Sequence, residues 1–118
     1  MKAAMRELKF RCWNGEQMIS PDYICRAGQA HWKENSIPAA SWEVMQFTGL
    51  LDSKGVEIYE GDVVDGFDGE FKAQVKWGNE DGAWVIDDLA KNAGAMLGEQ
   101  YAENFEVIGN IHENPELL

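Results

Sequence analysis

A chain of 118 residues with ten basic and 21 acidic side chains carries a formal charge of −11, and 45% of its residues are hydrophobic. That length suits a single domain and that composition a folded core, which excludes wholesale disorder. No stretch approaches the ~20 apolar residues of a membrane-spanning helix, the N-terminus runs into no apolar signal segment, and so negative a field opposes binding to a phosphate backbone.

The charge is unevenly placed. Residues 1–11 hold Lys2, Arg6, Lys9 and Arg11 against Glu7, whereas residues 12–118 hold six basic and 20 acidic side chains. Leu8 to Trp13 alternates apolar and basic residues with period two, and Asn14-Gly15 follows at once. That dipeptide predicts a two-residue type I′ turn, in which both central residues need positive φ. Gln17 to Ile19 is the expected return strand, giving an N-terminal β-hairpin over about residues 6–19 with Phe10 or Cys12 and Met18 or Ile19 on its buried side. Cys12 and Cys25 are the two cysteines. With no export signal they are expected as thiols, and with His31 and His112 they lack the paired spacing of a zinc module. Residues 20–41 carry no readable pattern.

From Trp42 the β signals come close together. Trp42 to Phe47 alternates, Asp52-Ser53-Lys54-Gly55 predicts a turn with its glycine in the left-handed region, and Val56 to Tyr59 restarts an extended run. Glu60-Gly61-Asp62 reads as a bend in which Gly61 takes positive φ and Asp62 accepts main-chain N–H bonds. Val63-Val64, then Phe71 to Trp77, then Ala83 to Ile86 continue the strands, with a turn at Asn79 to Gly82. Residues 87–102 read as a broken helix or a loop, with Asp87-Asp88 as candidate N-caps and Gly94 and Gly98 weakening any helix. Phe105 to Ile111 is a last strand, and His112 to Leu118 a tail that docks through Leu117 and Leu118. Short strands with a turn about every ten residues argue an all-β barrel or sandwich. The order over residues 42–111 fits a small SH3-like barrel, with Phe47, Ile58, Val63, Val75, Trp77, Trp84, Val107 and Ile111 as its expected core.

Four ordered stretches resemble the YopX family of phage and prophage proteins. They are Arg6 to Arg11 with Trp13, then Met45-Gln46-Phe47-Thr48-Gly49-Leu50, then Gly55 with Glu57 to Val64, and finally Val107 to Ile111 with Glu113 to Leu118. Cys12 stands where an alanine is more usual, and residues 20–41 and 78–104 match nothing. The resemblance implies a phage or prophage origin, an SH3-like barrel and self-association into a homo-oligomer. It implies no activity, and one small barrel serves many purposes.

Glu57, Glu60, Asp62, Asp65, Asp68 and Glu70 place six carboxylates and no cation within 14 positions. They lack the alternate-ligand pattern of a calcium loop, so they are read as turns and solvated strand edges and, with Trp32, as the candidate surface for a partner protein. No catalytic, metal or cofactor residue is nominated, because Cys, His and carboxylates occur without a motif that orients them. The expected protein is therefore a non-enzymatic, cytoplasmic accessory module that binds itself and a host or phage protein, with an acidic face that imitates nucleic acid as one form. The alternative is a nucleic-acid-binding module using Lys2, Arg6, Lys9 and Arg11 beside aromatic side chains.

Overall fold

The computed structural model describes residues 8–21, 23–24, 30–31, 43–66, 69, 71–89 and 94–118. The chain is mainly β with little helix. It divides into two compact units, Met1–Phe47 and Thr48–Leu118.

In the first unit, β1 (Phe10–Trp13) pairs antiparallel with β2 (Met18–Ile19) through Cys12↔Ile19 and Trp13↔Met18. The hairpin expected from Asn14-Gly15 forms, but its loop spans four residues rather than two. Asn14 is the reason. Its Oδ1 accepts the N–H of Glu16 at 2.8 Å and of Gln17 at 2.7 Å, while its own N–H donates to Gln17 O at 3.2 Å. The side chain thereby builds a wider turn, with Gly15 at φ 102°. A two-stranded ladder follows, β3 (Tyr23–Ile24) with β4 (Ala30–His31). On its other side β1 pairs with β5 (Glu43–Leu51), through Phe10↔Gln46, Arg11↔Met45 and Cys12↔Val44. Cys12, Met45 and Phe47 are buried. Cys12 is a free thiol whose Sγ donates to Ile19 O at 3.5 Å, and burial raises its pKa.

In the second unit the end of β5 pairs with β6 (Glu57–Tyr59), and Thr48 Oγ1 donates to Ile58 O at 2.8 Å. Five further strands form one antiparallel sheet: β7 (Asp62–Gly66), β8 (Phe71–Gly78), β9 (Ala83–Asp88), β10 (Gly94–Met96) and β11 (Phe105–Asn110). Its order, β10-β9-β8-β7-β11, is that of an SH3-like barrel: a four-stranded meander, a helical turn α1 (Glu99–Ala102), then a last strand returning beside the first. The sheet curls because strands twist, and β11 adds a bulge at Ile108, where the register shifts between Val107 and Gly109.

The described residues of the segment 87–102 do not form the broken helix that was one of its two expected readings. β9 runs on through Asp88, which is buried, so neither aspartate caps a helix; β10 follows, and α1 starts only after Gly98.

The core of this unit gathers Ile58, Val64, Ala73, Val75, Trp84, Ile86, Leu97, Ala102 and Phe105, with Leu50, Phe71, Ala95 and Val107 packed against it. Of the expected core residues, Phe47, Ile58, Val63, Val75 and Trp84 are buried, Val107 and Ile111 are half-buried, and Trp77 is 43% exposed. Alternation along β8 places Trp77 on the face of Ala73 and Val75, but at the strand's end, beyond the reach of the core. Phe105, which the expected core did not include, is buried instead, its ring centre 5.8 Å from that of Phe71. Its ring lies over Gly66, its partner across the β7–β11 ladder, where any Cβ would strike the ring edge.

The tail docks through one leucine. Asn110 Oδ1 accepts from His112 N at 3.0 Å and Glu113 N at 2.8 Å, and Asn110 N donates to Asn114 Oδ1 at 3.2 Å. This turn lays Asn114 and Leu117 against Gly109, leaving Leu117 half-buried, whereas Leu118 is 59% exposed.

Candidate functional site

The described carboxylates of residues 57–70, Glu57, Glu60, Asp62 and Asp65, are each buried or half-buried. Asp62 is fully buried, and its Oδ2 accepts the N–H of Tyr59 at 2.7 Å. Gly61 stands at φ 87°, donates to Val75 O at 2.9 Å and accepts from Ile111 N at 3.0 Å, so the bend is tied to β8 and to the end of β11. The sequence reading of this bend holds, and by the same token Asp62 is withdrawn from any partner surface. Glu57 and Glu60 are half-buried, and the Tyr59 hydroxyl donates to Glu57 Oε1 at 3.5 Å. Asp65 is half-buried on β7, opposite Lys72 on one side and Glu106 on the other, with one buried oxygen that has no hydrogen-bond partner. Asp68, Glu70 and Trp32 lie outside the described residues. Among the described residues no three His, Cys, Asp or Glu side chains converge as metal ligands.

The basic strand is also put to structural use. Lys2 and Arg6 lie outside the described residues. Lys9 and Arg11 share the face of Met45 and Phe47, both half-buried, with the Lys9 ammonium 5.6 Å from the Phe47 ring centre. Long basic side chains commonly cover apolar surface in this way.

Two arrangements escaped the sequence reading. The first is Asp52, 6% exposed at the β5–β6 turn. Its Oδ1 accepts the N–H groups of Lys54 and Val56, both at 2.8 Å, and its Oδ2 accepts the N–H of Val107 at 2.9 Å, 55 residues along the chain. Burial alone would raise its pKa. The N–H donors of Val107, Val56 and Lys54, with the Lys54 ammonium, outweigh burial and hold the carboxyl below its ordinary value. Next to it, Ser53 N donates to Phe105 O at 2.8 Å and Lys54 Nζ lies 3.2 Å from Glu106. The Asp52-Ser53-Lys54-Gly55 turn was legible, but a bond to a strand so distant in sequence left no local signal.

The second is at the β8–β9 turn, where Trp77 and Trp84 are cross-strand partners, edge to face at 5.0 Å between ring centres. Trp84 is buried, and its indole Nε1 has no acceptor. Glu80 and Asp81, both exposed, occupy the turn beside the pair.

Compared with known proteins, the chain matches the family model described as YopX protein over residues 9–118. Two solved structures are similar to it. Protein EF1440 from Enterococcus faecalis is 23% identical with a TM-score of 0.68, the match covering 97% of this chain and 99% of that one. Protein yopX from Bacillus subtilis is 24% identical with a TM-score of 0.61, over the same shares. At such identities the likeness is one of fold. No curated protein matches the chain.

Proposed function

The chain belongs to the YopX family, and we propose that this member is a non-enzymatic, self-associating, protein-binding module of phage or prophage origin. The reading rests on how the buried carboxylates are spent. Of the buried carboxylates Asp52, Asp62 and Asp88, the first two accept main-chain N–H bonds that hold turns together. At Asp52 those bonds hold the carboxyl below its ordinary value, which leaves it little basicity to offer a substrate. Apolar side chains, by contrast, are turned outward. Leu51 and Val56 flank one turn at 50% and 49% exposure, and Trp77, Met96 and Tyr101 are exposed elsewhere in the same unit. Aromatic and methionine side chains are enriched where proteins meet one another.

A flat row of carboxylates imitating nucleic acid does not suit a segment in which Asp62 is buried and Glu57, Glu60 and Asp65 are half-buried. The half-burial of Lys9 and Arg11 likewise argues against a basic strand free to neutralise phosphates.

Light scattering across a concentration series tests self-association. A mass above that of one 13.3 kDa chain, falling on dilution, is expected. A single-chain mass persisting at high micromolar concentration would sink it, and failure of the immobilised chain to retain any protein would sink the binding reading.

A further inference from the structure

We propose that the chain self-associates through β10, which pairs antiparallel with β10 of a second copy about a two-fold axis between the two Ala95 residues and joins the sheets of both copies into one. The proposal rests on the self-association reading above and gives it an interface.

The main chain of β10 is half used. Leu97 N donates to Trp84 O at 2.9 Å, and the ladder continues with Met96↔Val85, Ala95↔Ile86 and Gly94↔Asp87. Bonded and non-bonded pairs alternate along an antiparallel ladder, so Leu97 and Ala95 bond to β9, while the N–H and C=O groups of Gly94 and Met96 point away from it. β10 is the margin of its sheet, and among the described residues no strand lies on that side. Such a row of groups is a template for another strand, and margins are ordinarily blunted by a charge, a proline or a bulge. β10 has none of these. It reads Gly-Ala-Met, whereas β7, β8, β9 and β11 each carry a charged side chain. For a chain of charge −11, this is an edge at which two copies pair without setting carboxylates opposite one another.

The occupant follows from the strand's complementarity to itself. A two-fold axis at Ala95 sets Gly94 opposite the partner's Met96, and Met96 opposite the partner's Gly94. These are the residues whose main-chain groups point outward, so each pair exchanges N–H···O bonds in both directions. The side chains agree with that register. Ala95 packs towards the core, which leaves Gly94 and Met96 on the other face. Met96 is 59% exposed, and a Cβ on Gly94 would meet only Ile86 O, at 3.5 Å. The methionine of each copy therefore lies over the open glycine of the other. Centring the pairing on Met96 instead would set two methionines against each other and call on Gly98 O, which already accepts from Tyr101 N and Ala102 N at 3.1 and 3.0 Å. A contact through so short a strand is weak, so the dimer dissociates on dilution.

The test follows the mass of the full chain by sedimentation equilibrium over a concentration series, in the parent, Met96→Pro and Gly94→Lys. Met96→Pro removes an outward N–H and no bond to β9, a position that tolerates proline. Gly94→Lys fills the space over which the partner's Met96 lies. Each is expected to weaken dimerisation about tenfold, since the change acts on both sides of the axis. Ala95→Cys is expected to give a disulfide-linked dimer on mild oxidation, beyond any formed by the parent, because this register sets residue 95 opposite itself at roughly the 4.4–6.8 Å between Cα atoms that a disulfide spans. Should a variant unfold, seen in its urea transition, the cross-link decides. Folded variants that associate as tightly as the parent, or an Ala95→Cys chain no more linked than the parent, would overturn this interface and leave self-association standing. A parent that keeps a single-chain mass at high micromolar concentration removes both. Gly94 and Met96 amide resonances that stay still on concentrating the chain, but move with a short strand-forming peptide of threonine and valine, would assign the edge to a different protein and sink the proposal.

Discussion

Replacing Asp52 by asparagine changes one oxygen to an NH2 group and leaves the shape intact, so its cost measures the carboxylate alone. Three main-chain N–H groups point at that carboxylate, at 2.8, 2.8 and 2.9 Å. Whichever way the amide turns, it meets at least one of them donor to donor. Hydrogen bonds to a charged group contribute roughly 1.5–3 kcal/mol each. The N–H groups of Lys54 and Val56, on exposed turn residues, can recruit water, so the expected loss is about 2–3 kcal/mol. For a chain of this size that is a fall in Tm of about 8–12 °C. Urea unfolding followed by tryptophan fluorescence reads it directly, provided the slope m is unchanged. The pH dependence gives a second check. The folded-state pKa of Asp52 lies below its ordinary value of 3.8, so its contribution is complete above that value and is lost as pH falls through the lower, folded value. The gap between the two proteins should therefore be constant at neutral pH and close below about pH 4. An Asp52→Asn protein within about 0.5 kcal/mol of the parent at pH 7 would refute the idea that this side chain holds β11 to the turn.

Three further outcomes are expected. Trp84→Ala should cost about 3–5 kcal/mol and Trp77→Ala about 1 kcal/mol or less, because only the first is buried; equal losses in urea unfolding would contradict that difference. Gly66→Ala should destabilise by about 1–3 kcal/mol, since its methyl group meets the Phe105 ring, and a simultaneous Phe105→Leu should recover part of the loss in thermal melts; no recovery would mean that the strain lies elsewhere. Gly109→Ala should displace Asn114 and Leu117, at a cost of about 1–3 kcal/mol, with faster amide hydrogen exchange at Leu117 and Leu118 than in the parent; unchanged exchange would show that the tail does not depend on this close approach.

What could be read from the sequence was the local chemistry. Asn14-Gly15 announced a hairpin and Glu60-Gly61-Asp62 a bend because the turn is written in neighbouring residues. Even there, loop length escaped, since Asn14 takes two N–H bonds instead of sitting in a tight turn. Period-two alternation assigned faces along β8 correctly but could not say where the core stops, so Trp77 and Trp84 looked alike. Gly94 and Asp87-Asp88 suggested helix punctuation, yet the short strand β10 formed against β9, a pairing that propensity does not foresee. Of the candidate surface residues, Asp62 proved to be internal because its bend is closed from both sides. The Asp52 bond to Val107 had no signature at all, being set by topology alone.

β11 is the last strand of its sheet, but it does not present a bare margin. Phe105 O already accepts from Ser53 N and Val107 N already donates to the Asp52 carboxylate, so at the start of the strand two main-chain groups that would recruit a foreign strand are occupied. Phe-Glu-Val-Ile is a sequence well suited to cross-β stacking, and open margins of that kind seed aggregation. The same carboxylate that stabilises the monomer fold thus acts as a guard against misassembly. Asp52→Asn protein held at a temperature where it is still folded should accumulate thioflavin-positive material that the parent does not, and clear solutions of both would show that the guard is elsewhere.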